Sequence, residues 1–181
     1  MKKLLFLVVS SAVVFATTVF FRLGGHKTIE VKLKKYPALY LVYQEKLGPY
    51  HEIETSIEQV ENWAREHHLA CDRTYGEFLD DPRTTEERRL RSHVGCVLTS
   101  PLGESAEAAA KLAAPFVYEV RPERDYVWAE FDGAPSIGPL KVYPKIRDFL
   151  AAHGAGQFLP SIEIYTINGS VVLTEYLTAL P

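Results

Sequence analysis

One order of strand-like and helix-like segments, punctuated by glycine and proline, occurs twice along this chain and constrains its fold more than any other feature. In the first copy Thr28–Leu33 alternates apolar and polar residues, and Ala38–Gln44 is a second strand rich in Tyr, Leu and Val. Gly48-Pro49 breaks the chain, and the spacing of Ile53, Ile57, Val60 and Ala64 predicts a helix from Tyr50 to His68. Glu61 and Arg65 on its outer face stand four residues apart, as an ion pair would. Strands at Thr74–Leu79 and His93–Thr99 flank an Asp80-Asp81-Pro82 turn and a charged loop. The second copy has strands at Phe116–Val120 and Tyr126–Phe131, then breaks at Gly133-Ala134-Pro135 and Gly138-Pro139. A helix presenting Val142, Ile146, Phe149 and Leu150 runs to Ala152, with Pro144 expected in its first turn. Ser161–Thr166 and Val171–Leu177 are joined by Asn168-Gly169, a strong hairpin signal. Two copies, about residues 28–100 and 116–180, predict an α+β fold. Tandem strand-helix-strand-strand modules would form one antiparallel sheet with both helices on one face. The alanine-rich stretch Ser100–Pro115 reads as a short joining helix.

An N-terminal apolar helix is expected ahead of this body. Leu4 to Phe21 is uncharged, between Lys2-Lys3 and Arg22. As a helix it would span about 27 Å, close to the hydrocarbon thickness of a bilayer. Residues 1–27 therefore read as a single-pass membrane anchor through residues 4–21, and residues 28–181 as the folded domain. A cleaved signal peptide is the rival, because Val14-Phe15-Ala16 has small residues at the positions a signal peptidase reads. Arg22, Lys27, Lys32, Lys34 and Lys35 after the helix favour a cytoplasmic body by positive-inside counting, without deciding the side.

The net charge of −3 conceals a split. Residues 1–35 carry seven basic side chains against Glu30, leaving 13 basic and 22 acidic in the remainder. A body with that excess of carboxylates repels phosphate backbones, which argues against nucleic acid as a partner. Cys71 and Cys96 are too few for a disulfide scaffold, lie outside any CxxC pair and read as free thiols. His67-His68 lacks further ligands for a metal site. No GxSxG, HExxH, Walker or GxGxxG motif occurs, so no cofactor, metal or catalytic residue is assigned.

Two strands carry a lone glutamate amid apolar neighbours: Glu77 in Tyr75-Gly76-Glu77-Phe78-Leu79 and Glu163 in Ser161-Ile162-Glu163-Ile164-Tyr165. Matching the copies on these glutamates makes them symmetric partners. Period-2 geometry sets Glu163 and Tyr165 on one face and Ile162 and Ile164 on the other. With the isoleucines toward the helices, Glu163 and Tyr165 would line the opposite, concave face. Trp128 and Tyr43, on other strands, are candidates for the same wall. A carboxylate among such rings suits a hydrophobic cation, through ion pairing and cation–π attraction. Trp63 reads as core packing.

The elements Gly48-Pro49-Tyr50, Leu79-Asp80-Asp81-Pro82 and Arg91-Ser92-His93-Val94-Gly95 resemble the first half of a GyrI-like small-molecule-binding domain. Pro160-Ser161-Ile162-Glu163-Ile164-Tyr165 resembles the Pro-x-x-Glu-Ile-Tyr strand of its second half. The resemblance implies two tandem strand-helix-strand-strand modules. It further implies that Glu163 is the pocket acid meeting cationic aromatic compounds, and that Tyr165 belongs to the same wall. Glu77 extends that idea by symmetry. Transcription regulators of this family carry a DNA-binding motif ahead of the domain. An uncharged helix stands there instead, an arrangement similar to a membrane-anchored ER-phagy receptor of the family. A membrane-anchored module for a small hydrophobic or cationic amphiphile is therefore expected. The alternatives are a tethered adaptor for a protein partner and a hydrolase of a strained electrophile using the same glutamate.

Overall fold

Eight antiparallel strands join in the order β1-β6-β8-β7-β3-β4-β2-β5 to make one sheet. A computed structural model describes residues 2–102, 115–155, 159–169 and 171–180 of the chain. Helix α1 (Lys2–Arg22) is followed by β1 (Val31–Tyr36), β2 (Leu39–Leu47), α2 (Glu54–Glu66), β3 (Arg73–Phe78) and β4 (Arg91–Leu98). The second half comprises β5 (Val117–Arg121), β6 (Arg124–Asp132), α3 (Gly138–Ala152), β7 (Ser161–Asn168) and β8 (Val171–Ala179). The first strand of each half pairs with the second strand of the other, β1 with β6 and β5 with β2. At the centre of the sheet β3 pairs with β7. The joining helix expected between residues 100 and 115 falls largely outside the described residues.

Local sequence explains most element ends. Gly48, at φ +121°, turns the chain out of β2 before Pro49, and Tyr50–Glu52 forms a 3₁₀ turn ahead of α2. Gly169, at φ +63°, lies in the turn closed by the Asn168–Val171 pair. Helix α3 begins at Gly138, earlier than the apolar spacing suggests, so Pro144 lies inside the helix rather than in its first turn. Arg65 donates to Asn62 Oδ1 in place of pairing with Glu61.

The helices share one face of the sheet. Helix α2 buries Val60, Trp63 and Ala64 against Val42, Cys96 and Leu98, with Trp63 in the core as expected. Helix α3 buries Val142, Ile146 and Leu150 against Val127, Ala129, Phe131 and Tyr176. The opposite face closes on itself around Leu41, Tyr43, Tyr75, Trp128, Ile162, Ile164 and Leu177. Its curl follows from side-chain reach. Tyr36 on β1 accepts a hydrogen bond from Arg73 on β3 at 3.3 Å, although four strand spacings, about 19 Å in a flat sheet, separate them.

Two expectations are corrected here. The cysteines are not free thiols. Cys71, in the connection after α2, and Cys96, on β4 beneath that helix, form a disulfide with their Cα atoms 5.4 Å apart. Periodicity is blind to this pairing, because the turn after α2 brings Cys71 back beside β4. The single-pass membrane anchor, and the membrane location that rested on it, are overturned. Among the described residues no helix is long and apolar enough to cross a membrane. Beyond α1 the chain docks on the body. Lys27 pairs with Asp132, the Ala134 amide donates to the Leu23 carbonyl, and the Lys141 ammonium donates to the carbonyls of Gly24, Gly25 and Lys27.

Candidate functional site

A cavity of about 960 Å³ opens on the helical face, over the centre of the sheet and between the start of α2 and the length of α3. Ser161, Glu163 and Thr178 form its floor. Tyr143, Ile146 and Leu150 of α3 make one wall, and Tyr50, Ile53 and Phe78 the other. The mouth carries Glu54, Asp80, Asp81 and Asp148 against Arg83 and Arg147. Two of those carboxylates are engaged, Asp80 by Arg91 and Asp81 by Arg83.

The room beside Glu163 comes from the neighbouring strand. Register pairs Glu163 with Gly76, so no side chain from β3 covers the carboxylate. A Cβ at Gly76 would meet the Phe78 ring at 3.1 Å and Ile53 Cδ1 at 3.2 Å, both in the cavity wall. Across the β3–β7 axis the equivalent of Glu163 is therefore Gly76 and not Glu77. Matching the halves on their glutamates is out by one residue, and one residue in a strand turns a side chain to the other face.

The faces are accordingly the reverse of those expected. Ile162 and Ile164 fill the closed interior, and Glu163 points toward α3. Its Oε1 accepts a hydrogen bond from the Tyr143 hydroxyl at 2.6 Å, and Oε2 one from Tyr165 at 3.0 Å. Tyr176, directly across on β8, packs edge-on against Tyr143, and its hydroxyl has no partner among the described residues. Glu163 is 3% exposed. Burial pushes its carboxyl up to about 7, against the opposing pull of the two phenol hydrogen bonds. Burial, with the neighbouring carboxylate, also holds Tyr143 and Tyr165 well above the ordinary tyrosine value, so both stay neutral donors.

The other candidates lie on the opposite face. Glu77 accepts both arms of the Arg121 guanidinium, at 2.6 and 2.7 Å, and the Nδ1–H of His93 at 2.9 Å. Burial raises its carboxyl, yet His93 and Arg121 outweigh burial and hold it below the ordinary value. Tyr43 stacks on His93 with ring centres 4.4 Å apart. Trp128 donates its indole N–H to Glu175 at 3.0 Å, and the Lys34 ammonium lies 4.0 Å from its ring centre. The structure thus brings Glu163 and Tyr165 together and sets Glu77, Trp128 and Tyr43 apart from them. Tyr143, Tyr176 and Gly76 escaped the sequence reading. Each matters through a partner distant in the chain, and no local pattern marks that.

Three buried or nearly buried glutamates therefore sit within the sheet under different electrostatics. Glu77 has an arginine and a histidine; Glu175 has Lys34 at 3.7 Å, Arg73 at 4.0 Å, and hydroxyl and indole donors. Glu163 has two phenols and, among the described residues, no ion-pair partner.

Residues 29–179 match the family described as GyrI-like small molecule binding domain. A DNA gyrase inhibitor of Pectobacterium carotovorum subsp. carotovorum (strain PC1) is 41% identical over 49 residues, which is 26% of this chain and 32% of that protein. The match thus spans about a third of that relative's length. The crystal structure of the EcmrR C-terminal domain is similar with a TM-score of 0.59 at 16% identity, over 86% of this chain and 99% of that one. The structure of SAV2435 bound to tetraphenylphosphonium is similar with a TM-score of 0.52 at 12% identity, over 82% and 92% respectively. At those identities the two structures bear on the fold alone. With the family matched from Ile29 to Ala179, nearly the whole sheet and both of its helices, this chain belongs to the GyrI-like small-molecule-binding domain family.

Proposed function

We propose that the chain binds a hydrophobic monocation in the cavity between α2 and α3, with Glu163 as the counter-charge and Tyr143 and Tyr165 orienting its carboxylate. The observation that carries this reading is the contrast among the sheet glutamates. A buried carboxylate without a cation is costly, and Glu77 and Glu175 meet that cost with basic side chains, whereas Glu163 faces a ligand-sized space. With Arg91 on Asp80 counted, four carboxylates at the mouth face three arginines, a small net negative charge that favours entry of positive charge. The SAV2435 structure, with tetraphenylphosphonium bound, suggests the probe.

Thermal melting of the chain with tetraphenylphosphonium tests the reading. At one hundred times its dissociation constant the cation should stabilise the fold by about 2.7 kcal/mol. The shift should disappear in Glu163→Gln, and an equal shift in that variant would refute the reading. A second reading rests on the same carboxyl. An acid poised at about 7 in a secluded cavity is suited to general-base work on an electrophile. Glu163-dependent turnover of a strained, reactive ligand would favour hydrolysis over binding alone.

A further inference from the structure

We propose that at mildly acidic pH cation uptake in this cavity is a proton exchange: the ligand-free protein then holds Glu163 as the carboxylic acid, and a lipophilic cation with a fixed charge expels that proton on binding. The inference rests on the cation-binding reading above and adds how the site is regulated. In the free protein the groups against Glu163 are neutral. They are Tyr143 from α3, Tyr165 on its own strand and Tyr176 from β8; β3 contributes Gly76, which has no side chain. Among the described residues the other titratable and charged groups of the cavity are Tyr50 in the wall and, at the mouth, His51 and Glu54 near the start of α2, Asp80, Asp81 and Arg83 after β3, and Arg147 and Asp148 on α3. Two of these carboxylates already pair with arginines, Asp80 with Arg91 and Asp81 with Arg83. Among the described residues only two phenol hydrogen bonds stabilise a negative charge at the floor, and burial outweighs them, leaving the carboxyl at about 7.

A fixed cation beside the carboxylate reverses that balance, since an opposite charge within a few ångströms favours the ionised form. The step balances without a co-reactant. The Glu163 O–H bond breaks, its electron pair stays on the carboxylate, the proton passes to water through the mouth, and the cation takes its place as the positive charge. Net charge within the cavity is the same before and after. A neutral ligand of equal size releases no proton, and a divalent cation leaves the floor with unmatched charge. The ligand class is thus a hydrophobic ion of single, fixed positive charge.

Isothermal titration of the full chain with tetraphenylphosphonium tests this, in two buffers of different ionisation enthalpy at each pH. At pH 6 the buffer dependence should report release of about 0.9 proton per cation bound, falling to about 0.1 at pH 8. Affinity should rise about tenfold from pH 5 to pH 6 and level off above about pH 8. Tyr165→Phe removes a hydrogen bond that favours the carboxylate, so proton release should persist to higher pH. That shift would distinguish exchange at Glu163 from titration at the mouth. Glu163-dependent binding without proton release, or affinity independent of pH from 5 to 8, would overturn the exchange and leave cation binding standing. Absence of tetraphenylphosphonium binding at every pH, with the melting curve intact, would overturn both.

Discussion

Replacing Glu163 by Gln should make the protein more stable at pH 8, and the size of the gain follows from the burial of that carboxyl. Glutamine keeps the shape and can accept the Tyr143 hydrogen bond, but it carries no charge. In the folded chain burial raises the carboxyl from its ordinary value of 4.5 to about 7. Between those values the folded form binds more protons than the unfolded form, so stability falls as pH rises through the window. Above it, the ionised carboxylate destabilises the fold by about 3 kcal/mol; at pH 5 the deficit is under about 1 kcal/mol. Urea melts followed by the fluorescence of Trp63 and Trp128 should show the variant ahead by about 3 kcal/mol at pH 8 and nearly level with wild type at pH 5. For a chain of this length the gain corresponds to about 6–12 °C in Tm. A variant no more stable than wild type at pH 8, or a difference that does not shrink toward pH 5, would refute the claim that this charge is buried without compensation. A residue that strains the fold to keep a charge is what a binding site needs and a structural role does not.

The opposite sign is expected on the other face of the sheet. Arg121→Met leaves the Glu77 carboxylate without its bidentate partner and should lower stability by about 3–5 kcal/mol at pH 7 in denaturant melts. Glu77→Gln in the same background should recover most of that, and a loss under about 1 kcal/mol would mean that water reaches the pair. Because Glu77 titrates below its ordinary value when folded, its contribution is present above pH 4.5 and disappears as pH falls through the folded value. The Cys71–Cys96 bridge closes a separation of 25 residues, so its reduction should lower stability by about 3 kcal/mol. Thiol titration of the denatured, unreduced chain should find neither cysteine reactive; two reactive thiols would refute the bridge.

Much of this architecture was legible in the chain itself, for reasons that are local. Alternation in β2, β6 and β7 and the spacing of Val142, Ile146 and Leu150 depend only on which residues share a face, which a period of 2 or 3.6 fixes without any partner. Gly48-Pro49 and Asn168-Gly169 mark turns because few residues adopt their backbone geometry. Glu163 stood out for a related reason: a single carboxylate amid Ile162, Ile164 and Tyr165 conflicts with its surroundings, and such conflicts gather at functional sites. Helix α3 starts earlier than its apolar spacing suggests because Gly138 and Pro139, breakers in a helix interior, are both tolerated in a helix's first turn.

Periodicity divides a strand into two faces but does not say which face meets a helix. That choice depends on register with the neighbouring strand, and a slip of one residue inverts it. The Gly76–Glu163 pair decided it, turning Glu163 into the cavity and Glu77 toward Arg121. Sequence alone determined that two β-rich halves would form one sheet and that Glu77 and Glu163 were its odd residues. Tertiary structure decided what surrounds Glu163: Tyr143 arriving 20 positions away, Tyr176 from the next strand, and no cation among the described residues. The same carboxylate in water, or beside an arginine, would have an ordinary or lowered pKa. Whether a glutamate is a structural anchor or a seat for a ligand is set by the dielectric and the charges around it, and only the folded chain brings those together.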